Sequence, residues 1–122
     1  MVGRQNESLV QEEKSIKRFG QVIGVAPEKL EYYKELHAKP WQGVLDMIKA
    51  CNIQNYSIYV FGDKLFAYYE YTGEDYEADM QKMAADPLTQ KWWEECMPCQ
   101  QPEEGRPEGA WWLDLEEVFH LD

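Results

Sequence analysis

The stretch from Ile53 to Tyr71 constrains this chain more than any other. Ile53–Phe61 and Leu65–Tyr71 are rich in Tyr, Ile, Val and Phe, alternate in character, and are separated by a break at Gly62-Asp63. Aromatic and β-branched side chains suit a half-buried pleat, and a short glycine-containing break closes a hairpin. Two paired antiparallel strands are therefore expected, and they need further partners to be stable. Upstream, Phe19, Gln21, Ile23 and Val25 share one face at period two, which predicts a first strand. Pro27 suits a first helical position and Glu28 complements the helix dipole, so a helix should run to about His37. Pro40 interrupts it, and Trp41–Cys51 resumes with Val44, Leu45 and Ile48 at helical spacing.

Downstream, Tyr76–Ala85 reads as a helix, and Asp86-Pro87 opens a shorter one carrying Trp92 and Trp93. Residues 98–110 hold three Pro and two Gly and read as a loop, and the alternation from Leu113 to Leu121 predicts a last strand. The order β-α-β-β-α-β predicts an α+β, ferredoxin-like domain, a four-stranded antiparallel sheet with helices on one face. It should occupy residues 17–122, behind a polar tail over residues 1–16. On the second strand, Tyr56, Ile58 and Val60 fall on one side and Asn55, Ser57, Tyr59 and Phe61 on the other. Large apolar groups on both faces call for a cover, and a second copy of the sheet is the simplest one, so a homodimer is expected.

Charge narrows the function. The chain has 122 residues, 12 basic and 23 acidic, for a net charge of −11. It should repel nucleic acid and anionic membranes, and no basic patch offsets this. No apolar run is long enough to span a membrane, and the first residues carry no signal-peptide pattern. Three cysteines make no disulfide framework, which suits a reducing cytoplasm.

Few residues can carry chemistry. Tyr33 and His37 are four apart and share a helix face, pairing a hydroxyl with a group that titrates near neutrality. The pair reads either as a proton-transfer site or as a structural histidine closing a helix before Pro40, and spacing alone favours the second. Trp92-Trp93 cannot both face one core, which leaves one to line a cavity. An aromatic face suits the C–H face of a sugar, and an indole N–H can donate to a hydroxyl. Trp111-Trp112 is a similar pair that one sheet face partly explains. Cys96-Met97-Pro98-Cys99 follows a helix rather than preceding one, which is wrong for thioredoxin-like chemistry, and a zinc site would lack ligands. Glu116 and Glu117 point to opposite sides of a strand and cannot form one acid pair. His120 reads as a surface residue.

Four motifs in order give these residues a context: Tyr33, His37, Pro40 and Trp41; Asn55 to Tyr59; Asp86, Pro87, Trp92 and Trp93; and Glu116 to Phe119. Together they resemble the L-rhamnose mutarotase family, with related deoxysugar mutarotases, from about Lys17 to Asp122. The resemblance implies a dimeric α/β barrel, His37 as proton donor, and Tyr33, Tyr56, Trp92 and Trp93 as sugar-binding residues. It implies an isomerase that needs no metal or cofactor, acting on L-rhamnose, L-fucose or a similar 6-deoxysugar. The 16-residue leader is longer than the family's usual start, and the Cys96–Cys99 loop lies outside its site pattern. Two other readings share the fold: a cofactor-free monooxygenase with a flat aromatic substrate, and a non-catalytic sugar-binding module.

Overall fold

The computed structural model describes residues 15–122. Most of the expected tail, residues 1–14, lies outside the described residues. The elements are β1 (Lys17–Val25), α1 (Leu30–Ala38), α2 (Gln42–Ala50), β2 (Ile53–Phe61), β3 (Lys64–Tyr71), α3 (Tyr76–Ala84), α4 (Pro87–Cys96), β4 (Gln100–Gln101) and β5 (Leu113–Leu115). Short 3-10 turns, Pro27–Lys29 and Met97–Cys99, precede α1 and follow α4.

The sheet runs β2-β3-β1-β4, with β5 also paired to β1, and each of these pairings is antiparallel. This is the expected ferredoxin-like order, with one difference. The last strand is split in two: β4 meets Gly24 and Val25, while β5 meets Gly20 to Val22. Beyond Leu115 the expected strand does not continue. The C-terminal segment is instead tied to β1 by a two-pronged ion pair, in which Arg18 Nε donates to Glu117 Oε1 at 2.7 Å and its Nη2 to Oε2 at 3.0 Å.

Alternation sorts the sheet faces. Leu65, Ala67, Tyr69 and Tyr71 are buried under the helices, and Ile23 and Val25 join them from β1. Two apolar clusters result. One gathers Ile23, Val25, Leu65, Tyr33, Val44, Trp92, Cys96 and Cys99; the other gathers Ile53, Tyr69 and Tyr71. Full burial of each aliphatic side chain contributes about 1.5–3 kcal/mol. The opposite face stays open, with Phe61 81% and Tyr59 65% exposed.

Helix starts follow their sequence signals. Asp75 Oδ1 accepts from the Ala78 N–H at 3.1 Å and Asp86 Oδ2 from the Thr89 N–H at 3.0 Å, capping α3 and α4. Gly62, at φ +60, takes the left-handed first position of the β2–β3 turn without steric cost.

A bulge in β2 bears on the site. The register slips between Gln54, opposite Glu70, and Ser57, opposite Tyr68, and Asn55 sits at φ +50. Asparagine tolerates this left-handed conformation better than most residues. The extra residue reverses the alternation, so Ile53 and Tyr56 both face the helices. A bulge that re-aims one side chain in this way is common beside functional sites.

Candidate active site

Helix α1 presents Tyr33 and His37 one turn apart, and their rings stack with centroids 4.1 Å apart. Trp92 from α4 meets the imidazole edge-on at 5.2 Å, and Trp41, ahead of α2, meets Trp92 in the same manner at 5.2 Å. The Tyr32 hydroxyl donates to the Glu95 carboxylate and ties α1 to α4.

The hydrogen bond at His37 defines its tautomer. Nδ1 lies 2.8 Å from the Tyr33 carbonyl oxygen. A carbonyl can only accept, so Nδ1 carries the proton and donates it. Nε2 of the neutral ring is left with its lone pair. Burial lowers the His37 pKa below its ordinary value, partly opposed by the bond to Tyr33. The resting group at neutral pH is therefore a neutral imidazole with an available nitrogen, whose conjugate acid is stronger than usual.

Tyr33 is 4% exposed, and burial raises its pKa, so its hydroxyl stays protonated. A relay fixes where that proton points. Trp111 Nε1 donates to Gln100 Oε1 at 2.7 Å, and Gln100 Nε2 donates to Tyr33 Oη at 3.2 Å. Since Gln100 already supplies a proton to Tyr33 Oη, the tyrosine's own O–H is free to donate elsewhere.

Tyr56 projects from β2 onto the helix-covered face. Its ring lies 5.4 Å from that of Tyr69, and 43% of the residue is exposed. Burial pushes its hydroxyl up to about 12. Trp93 is partly buried against the cluster that holds Trp92. A cleft of about 110 Å³ touches Tyr33, His37, Ile58 and Val60 between α1 and the edge of β2. A second hollow of about 220 Å³ lies around Arg18, Glu70, His120 and Asp122, and no expected site residue lines it.

The fold thus brings Tyr33, His37 and Trp92 into contact and keeps Trp93 at the border of the same cluster, while Tyr56 packs on Tyr69, two residues before the Ile58 that lines the cleft. A protonated hydroxyl, a neutral imidazole nitrogen and several aromatic walls can bind a small polyol and move one proton. Over residues 18–121 the chain matches the family model described as L-rhamnose mutarotase. The chain belongs to the L-rhamnose mutarotase family. Curated L-rhamnose mutarotases from Bacillus subtilis (strain 168) and Listeria monocytogenes serotype 4b are 32% and 34% identical to it over 109 and 108 residues. The first alignment covers 88% of this chain and 100% of the relative, the second 87% and 99%. The fold also resembles that of an L-rhamnose mutarotase from Formosa agariphila, with a TM-score of 0.68 and 23% identity over 87% of this chain and 99% of that one. Tetracenomycin F2 cyclase from Streptomyces glaucescens, at 14% identity and a TM-score of 0.64, shares the fold alone.

Two structural contributors were not marked as site residues by the sequence. Trp41 stands in the first motif and packs on Trp92, while Gln100 sits in a proline-flanked stretch read as loop. The paired cysteines are not reactive groups in this setting: both are buried, and burial pushes the Cys96 thiol up to about 12 and raises that of Cys99. Among the described residues, no group of three or more His, Cys, Asp or Glu side chains is placed to hold a metal.

Proposed function

We propose that the chain is a sugar mutarotase that interconverts the α and β anomers of L-rhamnose or a related 6-deoxysugar such as L-fucose. The observation that carries this reading is His37, with Nδ1 committed to a backbone carbonyl, Nε2 available, and Tyr33 and Trp92 against its ring. Ring opening requires a proton to leave the anomeric hydroxyl and one to reach the ring oxygen. Both oxygens sit on one carbon, so a single nitrogen can serve both. Nε2 accepts the anomeric proton, and the resulting imidazolium donates to the ring oxygen. Reclosure on the other carbonyl face gives the other anomer. A few kcal/mol of barrier lowering suffices for so facile a reaction, at ~1.4 kcal/mol per tenfold. In this reading Tyr33 donates to a sugar hydroxyl, and Tyr56, Trp92 and Trp93 hold the ring and its methyl group.

The enzyme works as a cytoplasmic homodimer through its open sheet face, with residues 17–122 as the catalytic domain. The exposed Tyr59 and Phe61 and the free, buried cysteines support this. Light scattering should report a dimer for the wild type and a monomer for Tyr59→Lys/Phe61→Lys. Proton NMR saturation transfer with L-rhamnose and L-fucose tests the activity. Exchange between anomeric signals is expected with wild type and not with His37→Ala. No exchange with either sugar at high enzyme concentration would overturn the proposal.

A further inference from the structure

The helix-covered face of the sheet is divided by one row of side chains. Where β5, β1, β3 and β2 cross, the partners are Asp114, Gln21, Ala67 and Ile58. The flanking rows are large and apolar: Ile23 and Leu65 on one side, Phe19 and Tyr69 on the other. The middle row has short or polar groups at three of its four places. It runs between the Ile23–Leu65 row of one apolar cluster and the Tyr69 row of the other.

The polar atoms along this notch are ordered. Gln21 Nε2 donates to Asp114 Oδ1 at 2.7 Å. Among the described residues no donor bonds Asp114 Oδ2. The Tyr69 and Tyr76 hydroxyls lie 2.5 Å apart, and the Asp114 carboxylate adds to the burial that raises both. The Tyr56 ring packs on Tyr69, and Ile58, at the far end of this row, lines the cleft beside Tyr33 and His37. The notch therefore adjoins the site described above and brings to it a carboxylate oriented by a neighbouring amide. Carboxylates accept two hydrogen bonds side by side, which suits the adjacent hydroxyls of a pyranose.

We propose that Gln21 and Asp114 form the hydroxyl-recognition end of the sugar site: Asp114 binds adjacent hydroxyls of the substrate, and Gln21 holds the carboxylate in place. Asp114 is thus a binding and specificity residue, and Gln21 a positioning residue. The inference rests on the sugar-site reading, and its test separates the two.

The experiment measures L-rhamnose affinity by calorimetry and anomer exchange by NMR on the full chain, for wild type, Asp114→Asn and Gln21→Leu. A series of rhamnose analogues, each lacking one hydroxyl, is added. Hydrogen bonds to charged groups are the stronger kind, so Asp114→Asn should weaken affinity roughly 10- to 100-fold. Exchange at subsaturating sugar should fall in step with the affinity. Gln21→Leu should weaken affinity less and in the same direction. At least one hydroxyl-deleted analogue should bind wild type poorly yet bind Asp114→Asn as well as L-rhamnose does. Wild-type affinity in both variants, or an equal loss for every analogue, would overturn the inference while leaving the mutarotase standing. Wild type that neither binds nor exchanges the sugar would overturn both.

Discussion

Gln100 decides which way the Tyr33 proton points, and replacing it should separate stability from catalysis. An indole N–H only donates, so the Gln100 amide oxygen faces Trp111 and its nitrogen faces Tyr33. Gln100→Leu leaves both the Trp111 N–H and Tyr33 Oη without that partner. Each stranded polar group costs about 1–3 kcal/mol, and the half-buried indole belongs at the lower end, for a total of about 2–4 kcal/mol. At roughly 3–6 °C per kcal/mol for a chain of this size, Tm should fall by roughly 10 °C. Gln100→Glu differs: a carboxylate accepts from the indole and from Tyr33 alike, so both bonds are kept. The tyrosine proton is then drawn towards the introduced carboxylate and away from the sugar. Gln100→Glu should melt close to wild type while exchanging anomers about tenfold more slowly. Circular dichroism melts and NMR saturation transfer read the two quantities. An unchanged melt for Gln100→Leu, or full exchange in Gln100→Glu, would refute the relay.

Other consequences are as direct. The pKa of His37 is lowered by burial, so the fold favours the neutral ring. Its contribution to stability is complete above the ordinary value near 6.5 and is lost as pH falls through the folded pKa. Urea titrations at pH 7 and pH 5 should show a larger loss for wild type than for His37→Gln, and the exchange rate should rise with pH through an inflection below 6.5 and then level off. A methyl group added at Gly24 would stand 2.6 Å from the Gln101 carbonyl oxygen on β4. Gly24→Ala should cost about 1–3 kcal/mol by chemical denaturation and slow exchange by displacing Gln100. At Asn55, valine cannot comfortably hold φ +50 and loses the 2.7 Å bond from Nδ2 to Glu70. Asn55→Val should therefore destabilise by about 1–3 kcal/mol and weaken sugar affinity by shifting Tyr56, whereas Asn55→Gly should affect both less.

The readable parts of this chain are those where one periodicity holds throughout an element. β3 alternates in burial along its length, and β1 pairs with it from Lys17 to Gly24 without a register break. The two faces of β2 were also legible from Tyr56 onward, but the slip at Asn55 was not. A bulge leaves the composition of a strand untouched and changes only which residues face which way. The last strand failed for the opposite reason. Its alternation continues past Leu115, yet Arg18 captures Glu117 and leaves Val118 and Phe119 in solvent. Gln100 and Gln101 carry no hydrophobic signal at all, since their pairing with β1 is made by backbone alone. The Tyr33–His37 pair was visible in its spacing. The identity of its working nitrogen was not, because that depends on a single carbonyl one turn earlier.

The division of the last strand has a consequence for how such a protein can change. Gln100 and Asp114 are each clamped to β1 by their own short ladder, one near its end and one near its middle. The chain from Pro102 to Ala110, ahead of the Trp111 that holds Gln100, is a detour with no strand register to keep. Doubling its length would cost only about 0.6 kcal/mol in loop closure. Insertions and deletions there can accumulate without sliding either residue, so the two ends of the pocket can be retuned one at a time, as separate dials on one scaffold.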